Sequence, residues 1–175
     1  VRFDGRIEPE TDRLMREALA GGALATVSSF RKVNELRKVL SEVRWHGSLE
    51  LLELYGVIGL MGLVPGREAG AVSLALRPLA DERWKIAPET LFQTFLTLCH
   101  EYLSEYAGVS AAEEQLRKLG FGRKMLNRVA GDISALREGI SASKLSDDAL
   151  LLAVVRPGGP DSCSIAGLGE ELVRR

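Results

Sequence analysis

Cysteine and histidine are scarce in this sequence, and their scarcity limits the disulfide bonds and metal sites that the protein can form. The 175 residues include two cysteines, Cys99 and Cys163, and two histidines, His46 and His100. Two cysteines cannot form the disulfide framework of a small secreted domain, and these two lack the spacing of a zinc finger. We therefore expect a cytoplasmic protein of a reducing compartment, with no metal ion and no cofactor; a single disulfide between Cys99 and Cys163 is the alternative.

Long apolar runs and an excess of charge of one sign are missing as well. The longest uncharged apolar run, 54–66, has about 13 residues, whereas a membrane-spanning helix needs roughly 20. Five of the first ten residues are charged, so no signal peptide is predicted. The net charge is −1, from 23 basic and 24 acidic residues, and the chain as a whole has no field that would attract nucleic acid.

The rest of the composition is that of an ordinary globular protein. Hydrophobic residues make up 46% and charged residues 27% of the chain, which excludes a mainly disordered chain. No internal repeat and no linker-like tract interrupts the sequence. We therefore predict one domain over residues 1–175.

Apolar residues at helical spacing predict most of the structure. Pro9 begins a helix over 9–20. Ser29 is the predicted N-cap of a helix over 30–45, with its apolar stripe extending to Val43, and His46-Gly47 is expected to end it. The widest apolar face belongs to 88–107, predicted to be the central core helix. Ser110 and Glu113 have capping-box spacing for a helix over 111–119, and a last helix covers 123–138.

Other segments predict a small β component or remain ambiguous. Segment 49–64 is apolar almost all round and could be a buried helix or a strand, its length favouring a helix. Short strands are predicted at 23–27, 71–77, 83–86 and 162–168, with a loop at 139–145. Segment 146–155 could be a helix or a strand. The predicted fold is mainly α (α+β), with 88–107 packed against 30–45, 49–64 and 123–138.

One tripeptide, Cys99-His100-Glu101, combines a nucleophile, a base and a carboxylate. Neighbouring helical residues point about 100° apart, so Cys99 and His100 cannot act on each other as nucleophile and base. A pocket between helices that contains some of these groups, joined by His46, is the basis of an alternative function as a small-ligand sensor or an enzyme.

Basic residues cluster in two segments. Gly120-Phe121-Gly122 precedes two cations at a predicted helix start, where backbone amides favour anions. The anion-binding candidates around it are Arg117, Lys118, Arg123, Lys124 and Arg128. The helix predicted at 30–45 carries a second basic face, formed by Arg31, Lys32, Arg37, Lys38 and Arg44.

Two stretches resemble known families. Residues 21–64 resemble the core of rhabdovirus matrix proteins, which has a short strand, a helix, an aromatic-glycine junction (here Trp45-His46-Gly47) and an apolar helix. This resemblance covers about a quarter of the chain and implies self-association at a membrane. Leu119-Gly120-Phe121-Gly122, following a long helix, is similar to the helix pair of TRAPP-like vesicle-tethering domains.

No catalytic residues are assigned, because the sequence has no Gly-x-Ser-x-Gly elbow, no dinucleotide fingerprint and no kinase loop. The leading expectation is a non-enzymatic interaction or assembly protein, in one version a self-associating viral structural protein. Such a protein would bind a protein partner or a second copy of itself. The viral version would also contact a membrane surface peripherally. Binding of nucleic acid or an anionic surface through the basic helix faces is a third expectation.

Overall fold

The computed structural model describes residues 7–65, 70–81, 85–137 and 151, without the side chains of 135–137. Within these ranges the chain is mainly helical and contains no strand. Its α-helices are α1 (Pro9–Ala20), α2 (Ser29–Leu40), α3 (Trp45–Leu54), α4 (Val57–Leu60), α5 (Ala71–Leu76), α6 (Pro88–Ala107), α7 (Val109–Lys118) and α8 (Arg123–Arg137). Short 3-10 turns occupy Ala23–Thr26 and Arg77–Ala80.

Helix α6 is the centre of the molecule. Pro88 occupies its first turn and Gly108, with φ of 88°, ends it, as expected of a proline without an amide proton and a glycine without a Cβ. All residues from 91 to 101 are buried. The helix contacts α2, α5, α7 and α8, which confirms the predicted central core helix over 88–107.

Helix α7 folds back along α6, and α8 then runs beside α6 again. The ring of Phe121, just before α8, lies 6.2 Å from the ring of Phe92 near the start of α6. Further along, Ile133 of α8 and His100 of α6 line one pocket. Helix α8 therefore runs beside α6 in the same direction, and the predicted helix 123–138 is confirmed as far as Arg137.

Helix α7 begins earlier than predicted. It starts at Val109, directly after the turn at Gly108, and no side chain caps it. The capping box expected from Ser110 is wrong, because this residue already lies inside the first turn of the helix.

Two predicted strands are helical. Segment 23–27 forms a 3-10 turn after Gly22, whose φ is 81°. Segment 71–77 forms α5, because the Glu53 carboxylate accepts hydrogen bonds from the backbone amides of Val72 and Ser73. That carboxylate is distant in sequence and stabilises the helix start. Residues 83 and 84 of the strand predicted at 83–86 lie outside the described residues.

Helix α2 is shorter than predicted. Ser28, rather than Ser29, is its N-cap, and the Ser28 hydroxyl accepts a hydrogen bond from the Arg31 amide. The helix ends at Leu40, where the Ser41 hydroxyl donates to a carbonyl of the last turn. Val43, expected on the buried stripe, is 95% exposed because it lies beyond the helix end.

Segment 49–64 is helical but interrupted. His46-Gly47 lies inside α3 rather than at a helix end. Gly56, with φ of 70°, separates α3 from the short α4. At Gly62 a Cβ atom would come within 2.1 Å of the Gln115 side chain, whose Nε2 donates to the Met61 carbonyl. Gly62 also has a φ of 73°, a backbone conformation that favours glycine whether or not the Gln115 side chain can move.

The C-terminal predictions fall mostly outside the described residues. These are the loop at 139–145, the strand at 162–168 and most of 146–155; Leu151 alone is described there, as helical and fully buried. None of the described helices combines the length and the apolar character needed to cross a membrane.

Candidate functional site

An apolar groove lies between α1 and the α3–α4 junction. It has a volume of about 580 Å³. Three polar residues, Arg16, Glu53 and Tyr55, are part of its lining. The remaining lining residues are small or aliphatic, namely Leu19, Ala20, Gly56, Ile58, Gly59, Leu60, Val64 and Pro65. We call this feature the α1–α4 groove.

Polar contacts hold α1 beside the groove. No residue of α1 is buried. The Tyr55 hydroxyl donates a hydrogen bond to Asp12, and the Arg16 guanidinium lies 5.0 Å from the centre of the Tyr55 ring. Hydrogen bonds from Arg16 and then from Tyr55 lower the pKa of Asp12, and the bond to Asp12 raises the pKa of Tyr55. These contacts orient α1 without burying its side chains.

Glu53 forms part of the groove floor. Its oxygens accept hydrogen bonds from the amides of Val72 and Ser73 at 3.2 and 3.1 Å. The carboxylate therefore joins α3 to the start of α5. The Cys99 thiol is fully buried, and burial, followed by the negative charge of Glu53, raises its pKa well above the ordinary value. A buried thiol of raised pKa is a poor nucleophile.

His46 contacts the same part of the fold. Its Nε2 lies 2.9 Å from the Ser73 carbonyl oxygen, and its Nδ1 lies 3.6 Å from a Glu50 oxygen. Through these contacts His46 and Glu53 both link α3 to α5.

A smaller pocket of about 110 Å³ lies between α6, α7 and α8. His100 and Glu101 line it, and the Ser104 hydroxyl lies 3.2 Å from His100 Nδ1. The rest of the lining is Val109, Ala130, Ile133 and Ser134. Of the predicted pocket residues, the structure thus brings His100 and Glu101 to one pocket. The described contacts of Cys99 and His46 are instead with groups on the α3–α5 side.

A third concave surface, of about 830 Å³, lies between α2 and the start of α6. Phe30, Arg31, Asn34, Glu35, Arg37, Lys38 and Ser41 line its α2 side, and Ala87, Pro88 and Glu89 line the other. We call it the α2–α6 groove. Three residues of the predicted basic face line it. Lys32 and Arg44 are not among its lining residues.

Carboxylates accompany the cations of the α2–α6 groove. Lys38 pairs with Glu35 at 2.9 Å, and Arg37 lies 3.6 Å from Glu89. All four side chains are exposed. Phe30 is 76% exposed, so most of its side chain is open to solvent on this surface.

The predicted anion-binding residues surround the α7–α8 junction. Arg117 and Lys118 end α7, Arg123 and Lys124 begin α8, and Arg128 lies one turn further. All five are exposed. Arg117 pairs with Glu113 and Glu114 on its own helix.

Several of these site residues gave no signal in the sequence. Glu53 was not a candidate, because the amides that it binds lie about 20 residues away on a segment predicted to be a strand. Phe30 is recognisable only after the buried stripe of Val33, Leu36 and Leu40 fixes the orientation of α2.

Among the described residues, no three His, Cys, Asp or Glu side chains form a group that could hold a metal ion. Comparisons with family models, with curated proteins and with solved structures gave no match.

Proposed function

We propose that this chain is a non-enzymatic interaction and assembly protein whose α1–α4 groove receives apolar side chains of a second copy. The observation that carries the proposal is the groove, because it is concave, lined mainly by aliphatic side chains and large enough, at about 580 Å³, to enclose several of them. Pockets that enclose small-molecule ligands commonly have roughly 300–1,000 Å³, which sets a scale for this volume.

Exposed apolar side chains on the elements that form the groove support this proposal. Leu60 lines the groove and is 54% exposed, and Leu54, at the end of α3, is 64% exposed. Leu14 and Met15 of α1 are exposed as well. Covering apolar surface in a complex contributes about 25 cal/mol for each Å² removed from water, so a partner that covers these side chains gains from their burial.

The occupant that we propose is a second copy, packed through the same region of each molecule. Contact of this kind is self-complementary and closes at a dimer. Helix α1 suits it as a docking element, because it is amphipathic and 12 residues long and buries no side chain within its own chain. An amphipathic helix laid in an apolar groove is a common mode of recognition.

A pair of leucine variants tests the proposal. Leu60→Glu places a charge on the groove wall, whereas Leu74→Glu places the same charge on a leucine of α5 that is 66% exposed and does not line the groove. Sedimentation velocity should show Leu60→Glu weakening self-association at least tenfold and Leu74→Glu leaving it unchanged. Equal effects of the two variants would contradict the proposed surface.

A matrix-like role at a membrane surface is a narrower form of this proposal. It comes from the resemblance over 21–64, although the short strand expected there is a 3-10 turn. The predicted result is flotation of the protein with anionic vesicles at low salt. Protein that stays at the bottom of the gradient with anionic and neutral vesicles alike would exclude this form.

A ligand site in the smaller pocket between α6, α7 and α8 is the second candidate. The observation that favours it is the placement of His100 and Glu101, both at least 94% buried, on the wall of one pocket beside Ser104. A pocket of about 110 Å³ has room for a small polar molecule. A thermal-shift screen of small polar compounds on the wild type and on His100→Gln should find a ligand that stabilises only the wild type; the absence of any such ligand would exclude this candidate.

A further inference from the structure

An exposed aromatic ring and cations share one face of α2. Phe30, Asn34, Arg37 and Ser41 recur every three or four residues, which places them on one side of the helix. Arg31 and Lys38 flank this row, and all six line the α2–α6 groove. The groove therefore presents a flat apolar ring beside positive charge and hydrogen-bonding side chains.

An aromatic contact joins this face to the second basic cluster. The Arg37 guanidinium lies 4.6 Å from the centre of the Phe92 ring, on the first turns of α6. The Phe92 ring also packs against the Phe121 ring, with 6.2 Å between the ring centres. Because α8 begins two residues after Phe121, Arg123 and Lys124 emerge at the same end of α6 as the groove. Two basic segments separated by about 90 residues in sequence thus lie at the same end of α6.

We infer that this surface binds single-stranded nucleic acid, with a base stacked on Phe30 and with phosphates contacted by Arg31, Lys38, Arg123 and Lys124. We call the surface formed by these five residues the basic band. Single-strand binding proteins combine a positive groove, which follows the phosphates, with aromatic side chains on which bases stack. In a duplex the bases are already stacked on each other, so an exposed ring favours a single strand.

The carboxylates in the groove are compatible with this role. The pairs Lys38–Glu35 and Arg37–Glu89 are exposed, and exposed ion pairs contribute little to stability. A phosphate can replace the Glu35 carboxylate at Lys38. Since the net charge of the chain is −1, attraction comes from the basic band alone and must weaken steeply with salt.

Fluorescence anisotropy of a labelled uridine 12-mer with the full chain tests this inference. Phe30→Leu removes the ring but retains apolar character and helix propensity. Tyr106→Leu is its control, because Tyr106 is 72% exposed but lies roughly 27 Å further along α6 than Pro88. Arg123→Gln and Arg13→Gln form a second pair, the latter on α1. Circular dichroism checks that each variant is folded.

The expected result is binding at 50 mM salt that weakens as salt is raised. Phe30→Leu should weaken binding about tenfold, as expected for a lost base stack. Arg123→Gln should reduce the slope of log affinity against log salt by roughly 0.7, the value for one phosphate contact on a single strand. Both controls should match the wild type.

Three results would overturn the inference. Binding could be absent at 50 mM salt. Phe30→Leu could bind as tightly as the wild type, which would leave only nonspecific charge attraction. Finally, poly-glutamate could bind as tightly as the 12-mer, which would identify the surface as a docking site for an acidic polypeptide.

Discussion

The Oε2 atom of Glu53 lies 3.1 Å from the backbone nitrogen of Ser73, which donates a hydrogen bond to it. The other oxygen accepts from Val72 at 3.2 Å. Glu53 is 4% exposed, so the carboxylate is withdrawn from water and compensated by the first amides of α5. This arrangement holds α5 on α3 and also forms part of the floor of the α1–α4 groove.

Glu53→Gln should destabilise the fold. The amide side chain can accept one of the two hydrogen bonds but places a donor NH₂ group against the second backbone amide. We expect the free energy of unfolding to fall by about 1–3 kcal/mol, the cost of a buried group left without its partner. Urea denaturation measures it. Glu50→Gln, at an exposed position on the same helix, is the control, and equal losses for the two variants would contradict this role of Glu53.

Tyr55→Phe should loosen α1. It removes the hydrogen bond to Asp12 but retains the ring under Arg16. Because α1 buries no side chain, it depends on such contacts, and we expect its amide hydrogens to exchange severalfold faster while those of α6 are unchanged. Tyr106→Phe is the control for loss of a hydroxyl elsewhere. Unchanged exchange in α1 would show that the Tyr55 hydroxyl does not hold this helix.

Gln93→Leu should stabilise the protein. Gln93 is 1% exposed, and its amide nitrogen and oxygen have no hydrogen-bond partner in the described part of the chain. Replacing an unsatisfied buried amide with an apolar group of similar size should raise the free energy of unfolding by about 1–2 kcal/mol. A fall of that size in urea denaturation would show instead that the amide is satisfied in the folded protein.

Because the Cys99 thiol is buried, we expect it to be unreactive in the folded protein and to make the stability of the fold depend on pH. In a Cys163→Ser background, Cys99 should not react with a disulfide reagent at pH 8 until the chain is unfolded. Burial, followed by the negative charge of Glu53, raises its pKa well above the ordinary value of a cysteine thiol. The neutral thiol therefore contributes stability that is complete below about pH 9 and is lost as the pH rises through the folded-state pKa.

Comparison with Cys99→Ala checks the pH dependence. The alanine variant should lose less stability than its parent above pH 9, because it has no thiol to ionise on unfolding. Rapid reaction of Cys99 in the folded protein, or parallel pH profiles for parent and variant, would contradict this description of the thiol.

The helices that carry their own apolar stripe could be predicted from the sequence. Helix α6 was predicted with both its ends, because Pro88 and Gly108 mark them and apolar residues cover its face. The start of α1 at Pro9 and most of α8 followed from the same kind of local signal. In each case the residues that determine the element lie within it.

The errors occurred where distant residues decide the structure. Helix α5 was predicted as a strand, since its short apolar run has no local helix signal and its start is stabilised by Glu53. Val43 continues the α2 stripe in sequence, but the helix ends before it. The proximity of Arg37 to the α7–α8 junction depends on Phe92 and could not be read from either basic segment alone.

The molar mass of the unmodified chain in solution, measured by light scattering over a concentration and salt series, tests the proposed assembly most directly. If a second copy covers the α1–α4 groove, the mass should rise with concentration toward that of a dimer. Added salt should leave this rise intact, because apolar contacts are not screened. A mass of 19.1 kDa at every concentration, or an association that salt abolishes, would contradict the proposal.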